Sequence, residues 1–245
     1  MKRTLHLLHR RFVLVLLSCL LAACSSDSDS AKSNDSAGAL FDAPSAGTTA
    51  PTAAPLAIPE DAPTVVFLGD SLGAGLHLAE HQAFPALLQA RLAEEQVPFH
   101  LVNVSESGRT TAGGATALTW VLRSEPDWVV IELGGNDGLR AIPVETIEKN
   151  LRAMITEARA AQAQVLLLGV RMPPNYGEYG ASFDALFPRL AAELDVAFVP
   201  YFMEGVGGVP EMNLPDGLHP TVEGHERLAS NVMPALRTQL TEGKE

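Results

Sequence analysis

Short β-branched and aliphatic runs alternate with stretches of helical periodicity from about residue 58 to residue 240, and no other feature constrains the fold of this chain as tightly. The runs cover 64–69, 100–104, 128–133, 165–170 and 196–200. Several are apolar at almost every position, as strands buried on both faces must be, which argues for a parallel sheet. Between them lie stripes of helical spacing. One is Phe84, Leu87, Leu88 and Leu92 around Pro85, and another is Ile147, Leu151, Met154, Ile155 and Ala158 after Pro143. A third, Phe183, Leu186, Phe187, Leu190 and Leu194, contains Pro188, which is expected to kink or shorten its helix. Leu228, Val232, Leu236 and Leu240 form the last. Strand-helix alternation of this kind predicts a single α/β domain over 58–245, three layers thick, with one sizeable core. Ligands of such sheets collect at the carboxyl ends of the strands.

The segment ahead of this domain has a different composition. Lys2, Arg3, Arg10 and Arg11 precede the apolar run 12–23, which is too short to span a bilayer and reads as a secretory signal peptide over 1–23. The run ends in Leu21-Ala22-Ala23-Cys24, similar to the bacterial lipobox, so Cys24 is the expected lipidation site. Residues 24–57 are then rich in Ser, Asp, Ala, Thr and Pro and are expected to form a disordered tether. Ser25 after the cysteine points to the outer membrane, facing the periplasm, if the source is Gram-negative. The two cysteines, Cys19 and Cys24, leave the folded part without a disulfide or a thiolate metal site. With 17 basic against 29 acidic residues the formal net charge is −12, and loss of the basic leader makes the remainder more acidic still. Such a surface repels nucleic acid, and any membrane attachment would come from the lipid anchor at Cys24. A monomer is expected.

Candidate chemistry sits where the strands end. Gly69-Asp70-Ser71-Leu72 follows the first run and offers Ser71 as a nucleophile. A serine hydroxyl needs a base, usually a histidine held by a carboxylate. Asp216-Gly217-Leu218-His219, bounded by Pro215 and Pro220, supplies such a pair. Alone, an Asp-Ser after a strand is a common turn or helix cap, and Asp-x-x-His is weaker still. Two glycine-rich segments, Ser105-Glu106-Ser107-Gly108-Arg109-Thr110 and Gly134-Gly135-Asn136-Asp137-Gly138, follow the second and third runs. Acyl transfer needs donors for a developing oxyanion, and the N–H of Ser71, the N–H of Gly108 and the side-chain amide of Asn136 are the candidates.

Taken together, these residues resemble the SGNH, or GDSL-type, hydrolases, whose four blocks contribute Ser, Gly, Asn and His in the order Ser71, Gly108, Asn136 and Asp216/His219. The resemblance is to the bacterial arylesterase branch that includes the multifunctional thioesterase/protease/lysophospholipase. It rests on Leu133-Gly134-Gly135-Asn136-Asp137-Gly138-Leu139-Arg140, Met172-Pro173-Pro174-Asn175-Tyr176-Gly177 and Asp216-Gly217-Leu218-His219-Pro220. It implies a flavodoxin-like five-stranded parallel sheet of order 2-1-3-4-5. It also implies a carboxylic ester hydrolase that acts on an ester or thioester through an acyl-enzyme, without a cofactor or a metal. Arg109 departs from the family pattern, in which an acidic or small residue is common there. It is a candidate substrate-lining residue for anionic groups or a partner for Glu106. Tyr176 and Tyr179 are candidates for a lining loop, while Phe84, Leu139, Phe183 and Phe202 are as well suited to the core.

Other readings fit less well. Gly69-Asp70-Ser71-Leu72-Gly73 also spells the nucleophile elbow G-x-S-x-G, but an α/β-hydrolase requires strands upstream, and only about a dozen structured residues precede Ser71. Gly73-Ala74-Gly75 lacks the third glycine of a dinucleotide loop. His77 and His81 lack the adjacent glutamate of H-E-x-x-H and read as exposed or lining residues. A non-catalytic lipoprotein binding lipid or glycan would not need His219 and Asn136 together. An O-acetyl esterase of envelope polysaccharide remains compatible with the motifs.

Overall fold

Continuous apolar runs become central strands. In the computed structural model, which describes residues 58–242, β1 (Thr64–Gly69), β2 (His100–Asn103), β3 (Trp128–Glu132), β4 (Gln164–Leu168) and β5 (Ala197–Val199) form one sheet of order β2-β1-β3-β4-β5. Every pairing is parallel, with Thr64 opposite His100 and Val65 opposite Trp128. The expected fold class and strand order are therefore those observed. Val65, Val66, Phe67 and Leu68 of β1 and Val129, Val130 and Ile131 of β3 are fully buried, because helices cover both faces of the sheet centre. The signal peptide, Cys24 and the tether lie outside the described residues.

Among the described residues six α-helices lie between the strands, α1 (Ser71–Ala74), α2 (Phe84–Glu94), α3 (Thr111–Val121), α4 (Gly135–Leu139), α5 (Val144–Ala160) and α6 (Gly177–Leu194), and α7 (Val222–Glu242) follows β5. Helices α2 and α7 pack against each other, as do α3 with α5 and α5 with α6. Buried His225 of α7 accepts the Phe84 N–H through Nδ1 at 3.1 Å. Burial pushes this imidazole down to about 4, so it stays neutral and keeps that lone pair.

Two elements depart from expectation. Helix α3 gave no clear stripe in the sequence, since Gly113, Gly114 and Thr116 dilute its helical propensity. It forms because Thr110 caps it, its side chain accepting from Gly113 N, and because Gly114 lies against Leu133 and Met154 where a Cβ would overlap. Helix α6 runs unbroken through Pro188. Its buried face of Phe183, Leu186, Phe187 and Leu190 offsets the one intrahelical bond that the proline removes.

Gly169, just past β4, has no room for a side chain, because a Cβ there would overlap the backbone carbonyl of Pro200 after β5. Gly169→Ala should destabilise the protein by about 1–3 kcal/mol, the cost of overpacking a rigid contact. Urea unfolding monitored by circular dichroism checks this, and an unchanged midpoint would contradict the packing described.

Candidate active site

The carboxyl ends of the strands place the sequence-predicted side chains in one area. Ser71 opens α1 directly after β1, Gly108 lies in the loop after β2, Asn136 sits in the first turn of α4 after β3, and Asp216 and His219 occupy the segment ahead of α7. His219 Nε2 lies 3.0 Å from Ser71 Oγ, and His219 Nδ1 lies 2.7 Å from Asp216 Oδ2. Since the carboxylate can only accept, Nδ1 carries the ring proton and Nε2 presents its lone pair to the serine hydroxyl.

The Asp-x-x-His spacing produces this geometry locally. Asp216 Oδ1 accepts from Leu218 N at 2.9 Å and His219 N at 3.0 Å, folding the segment into a turn whose bend at Gly217 has φ +67°. Those backbone bonds and the His219 ring hold the Asp216 carboxyl well below the usual carboxylate range. The turn is anchored by Leu214 N donating to His219 O at 2.7 Å and by the antiparallel bridge between Asn213 and Pro220.

Three candidate donors, the N–H groups of Ser71 and Gly108 and the Asn136 amide, follow different strand ends and line one cleft. Among the described residues the N–H groups of Ser71 and Gly108 have no acceptor. Gly108 has φ +81°, a conformation that suits glycine, and lines the cleft. Asn136 donates through Nδ2 to Asp70 Oδ2 at 3.0 Å, leaving its second amide hydrogen uncommitted.

Behind these donors lies a group that sequence reasoning missed. Glu132, the last residue of β3, is 1% exposed, and its Oε2 accepts from both Asp70 N and Gly73 N at 3.1 Å. Asp70 is buried as well and caps α1 by accepting from Leu72 N at 3.0 Å. Burial, and then the charge of Asp70, push the Glu132 carboxyl well above its ordinary value, and burial also raises Asp70. The two carboxyls therefore titrate as a pair, and Asp70 Oδ2 is the acceptor that orients Asn136. The glycines beside the serine follow from this packing, since a Cβ on Gly69 or Gly73 would overlap Glu132 Oε2 or Ser105 Oγ. An acid ending an otherwise apolar strand was the available signal.

A cleft of about 580 Å³ opens beside Ser71 and His219. Its walls include Leu72, Leu76, Leu139, Val170, Met172, Pro173, Met203 and Leu218, with Asp184 and Tyr201 also on the lining. The proposed lining residues Arg109, Tyr176 and Tyr179 are not among them. Arg109 pairs with Glu106 at 2.7 Å, also donates to Val104 O, and borders a separate depression with Trp120 and Arg140. Tyr176 and Tyr179 turn their hydroxyls to the carbonyls of Leu139 and Ile142, at 3.4 and 2.7 Å, and so buttress that segment from behind. Phe84, Phe183 and Phe202 belong to the core, whereas Leu139 is a cleft residue. His77, exposed and at φ +72°, stands edge-on to His219 with ring centroids 6.0 Å apart, while His81 is exposed elsewhere on the loop.

Comparison with known proteins agrees with this geometry. The GDSL-like Lipase/Acylhydrolase family matches residues 67–227. Esterase TesA of Pseudomonas aeruginosa is 47% identical over 181 residues, covering 73% of this chain and 90% of that protein. Thioesterase 1/protease 1/lysophospholipase L1 of Escherichia coli is 41% identical over 170 residues, covering 69% and 80%. Among solved structures, the psychrotrophic esterase EstA from Pseudoalteromonas sp., inhibited by monoethylphosphonate, superposes with a TM-score of 0.69. It is 32% identical and the match covers 73% of this chain and 99% of that one.

The Glu132 assignment yields a paired expectation. Glu132→Gln keeps acceptors for Asp70 N and Gly73 N and a donor for Asp70, so hydrolysis should stay within about threefold of wild type, whereas Glu132→Ala strands buried N–H groups and should cost about 1–3 kcal/mol or more. Because the folded-state value of Glu132 is raised, the stability that its neutral form contributes is full below its ordinary 4.5 and is lost as pH rises through the raised value. Glutamine does not titrate, so the difference in unfolding free energy should move in favour of Glu132→Gln as pH rises from about 4.5 to neutrality. Thermal melts across that window check the sign.

Proposed function

The chain belongs to the GDSL-like lipase/acylhydrolase family and is a serine esterase, and from that premise we propose that Ser71 is its nucleophile, His219 its general base and Asp216 the residue that fixes the imidazole tautomer. The supporting observation is the continuous chain of contacts from Asp216 through His219 to Ser71, at 2.7 and 3.0 Å, on the edge of an apolar cleft. Ser71 Oγ attacks the carbonyl carbon of an ester or thioester while its proton passes to His219 Nε2. The carbonyl oxygen, now an anion, takes hydrogen bonds from Ser71 N, Gly108 N and Asn136 Nδ2. The tetrahedral intermediate collapses, the His219 proton goes to the leaving alcohol or thiol, and an acyl-Ser71 ester remains. Water, deprotonated by the same imidazole, then releases the acid and restores the serine.

The acyl group of the preferred substrate is a hydrocarbon chain. The cleft walls supplied by Leu76, Val170, Met172, Pro173 and Met203 are apolar and extend beyond what an acetyl group would fill, which favours aryl esters, lysophospholipids and acyl thioesters over an acetylated glycan. Arg109, committed to Glu106, has no part in selecting charge on the substrate. The hydrolase domain of 58–245 is carried on a tether and held by lipid on Cys24, at the outer membrane facing the periplasm where the source is Gram-negative. It acts there as a monomer.

Two measurements test this reading. A p-nitrophenyl ester series graded by chain length should show highest kcat/KM beyond acetate, with Ser71→Ala reduced by about 10⁴-fold or more and Asn136→Ala by about 10²–10³-fold. A phosphonate ester should label Ser71 and no other residue by mass spectrometry, as its similarity to a phosphonate-inhibited esterase leads one to expect. For the anchor, Cys24→Ser should move the protein from the membrane fraction to the soluble fraction without changing its kcat/KM on a soluble ester.

A further inference from the structure

His77 has no part in the hydrolytic steps, yet it is held in an unusual position beside them. It is exposed and adopts φ +72°, a left-handed conformation that costs a non-glycine residue about 1 kcal/mol or more. Its ring stands at 88° to that of His219, edge to face. One ligand atom from each of His77, Asp216 and His219 lies within 4.8 Å of the other two. Two imidazoles and one carboxylate, with a fourth position open to solvent, form a donor set suited to a tetrahedral first-row cation, zinc above all, and poorly suited to magnesium or calcium. Zinc bonds of about 2.0–2.1 Å set tetrahedral ligand atoms roughly 3.3 Å apart, so small movements of the exposed His77 and Asp216 side chains and of the partly buried His219 ring are needed.

We propose that His77, Asp216 and His219 form an inhibitory zinc site that switches the esterase off. The proposal rests on the reading of His219 as general base. Both ring nitrogens of His219 are already committed, Nδ1 to Asp216 and Nε2 to Ser71. If zinc takes Nδ1, the ring proton moves to Nε2 and the lone pair facing Ser71 is gone. If zinc takes Nε2, that lone pair is occupied directly. With zinc on Nδ1 the Asp216 carboxylate is also drawn onto the metal and away from the ring. No bond to substrate forms, and removal of the metal by a chelator restores the original tautomer.

The test titrates zinc chloride into the full chain at pH 7.5, with hydrolysis of a soluble p-nitrophenyl ester and isothermal calorimetry as separate readouts. Micromolar zinc should inhibit the wild type, EDTA should reverse the effect, and magnesium should have none. His77→Asn tolerates the left-handed backbone and lacks the imidazole, and His77→Gly removes the strain outright. Both should keep basal hydrolysis near wild type and need roughly 10–100-fold more zinc for half inhibition, at least the loss seen when even an outer-shell partner of a metal is removed. Ser71→Ala should bind zinc at one site per chain in the calorimeter although it cannot hydrolyse. Equal zinc sensitivity in wild type and both His77 variants would overturn the site and leave the general base untouched. Binding that depends on His77 but leaves hydrolysis intact would overturn the base assignment, and the switch with it.

Discussion

The carboxyl group of Glu132 holds the site together. Placed at the end of the central strand β3, it accepts the N–H groups of Asp70 and Gly73 and so ties the start of α1 to the neighbouring strand. Asp70 in turn caps α1 and orients Asn136, accepting from Leu72 N and Asn136 Nδ2. One buried acid thereby sets the direction of the helix that Ser71 opens and the aim of the Asn136 amide. A charged carboxylate there would be costly, and a neutral one that donates to its neighbour is not. The proximity of Glu132 and Ser105 also explains why Gly69 and Gly73 flank the motif.

The other half of the site is organised by short-range chemistry. Asp216 uses one oxygen to fold its own turn and the other to hold His219, so a four-residue segment carries both the proposed base and its proposed orienting acid. That compactness keeps the dyad partly exposed, at 42% for the Asp216 side chain, and leaves it open to a third ligand such as His77. The buried pair and the exposed pair therefore differ in what they answer to. Glu132 and Asp70 are enclosed by packing, whereas Asp216 and His219 retain access to solvent.

Much of this was legible before any coordinates. The apolar runs at 64–69 and 128–133 could only be strands covered on both faces, and they became β1 and β3 within a residue of those bounds. Ser71, Gly108, Asn136 and the Asp216–His219 pair stood out through residue type and chain order. Less legible was α3, whose glycines depress local propensity and whose helix depends on contact with Leu133 and Met154. Pro188 was expected to kink or shorten α6, and with its apolar face buried the helix continues to Leu194.

By itself the sequence determined the layer architecture and the reacting residue types, because hydrophobic period and turn chemistry act over a few residues. Only the tertiary structure decided which side chains meet across the chain. Arg109 and the two tyrosines looked like substrate contacts from their neighbours in sequence, but their polar atoms are taken up by Glu106, Leu139 and Ile142. Glu132 looked like the end of a strand and became the support of the nucleophile 61 residues earlier in the chain, through contacts to Asp70 and Gly73 at separations of 62 and 59 positions. The physical reason is that side-chain burial and hydrogen-bond partners are set by neighbours in space, and packing a parallel sheet brings together strand ends that lie far apart along the chain.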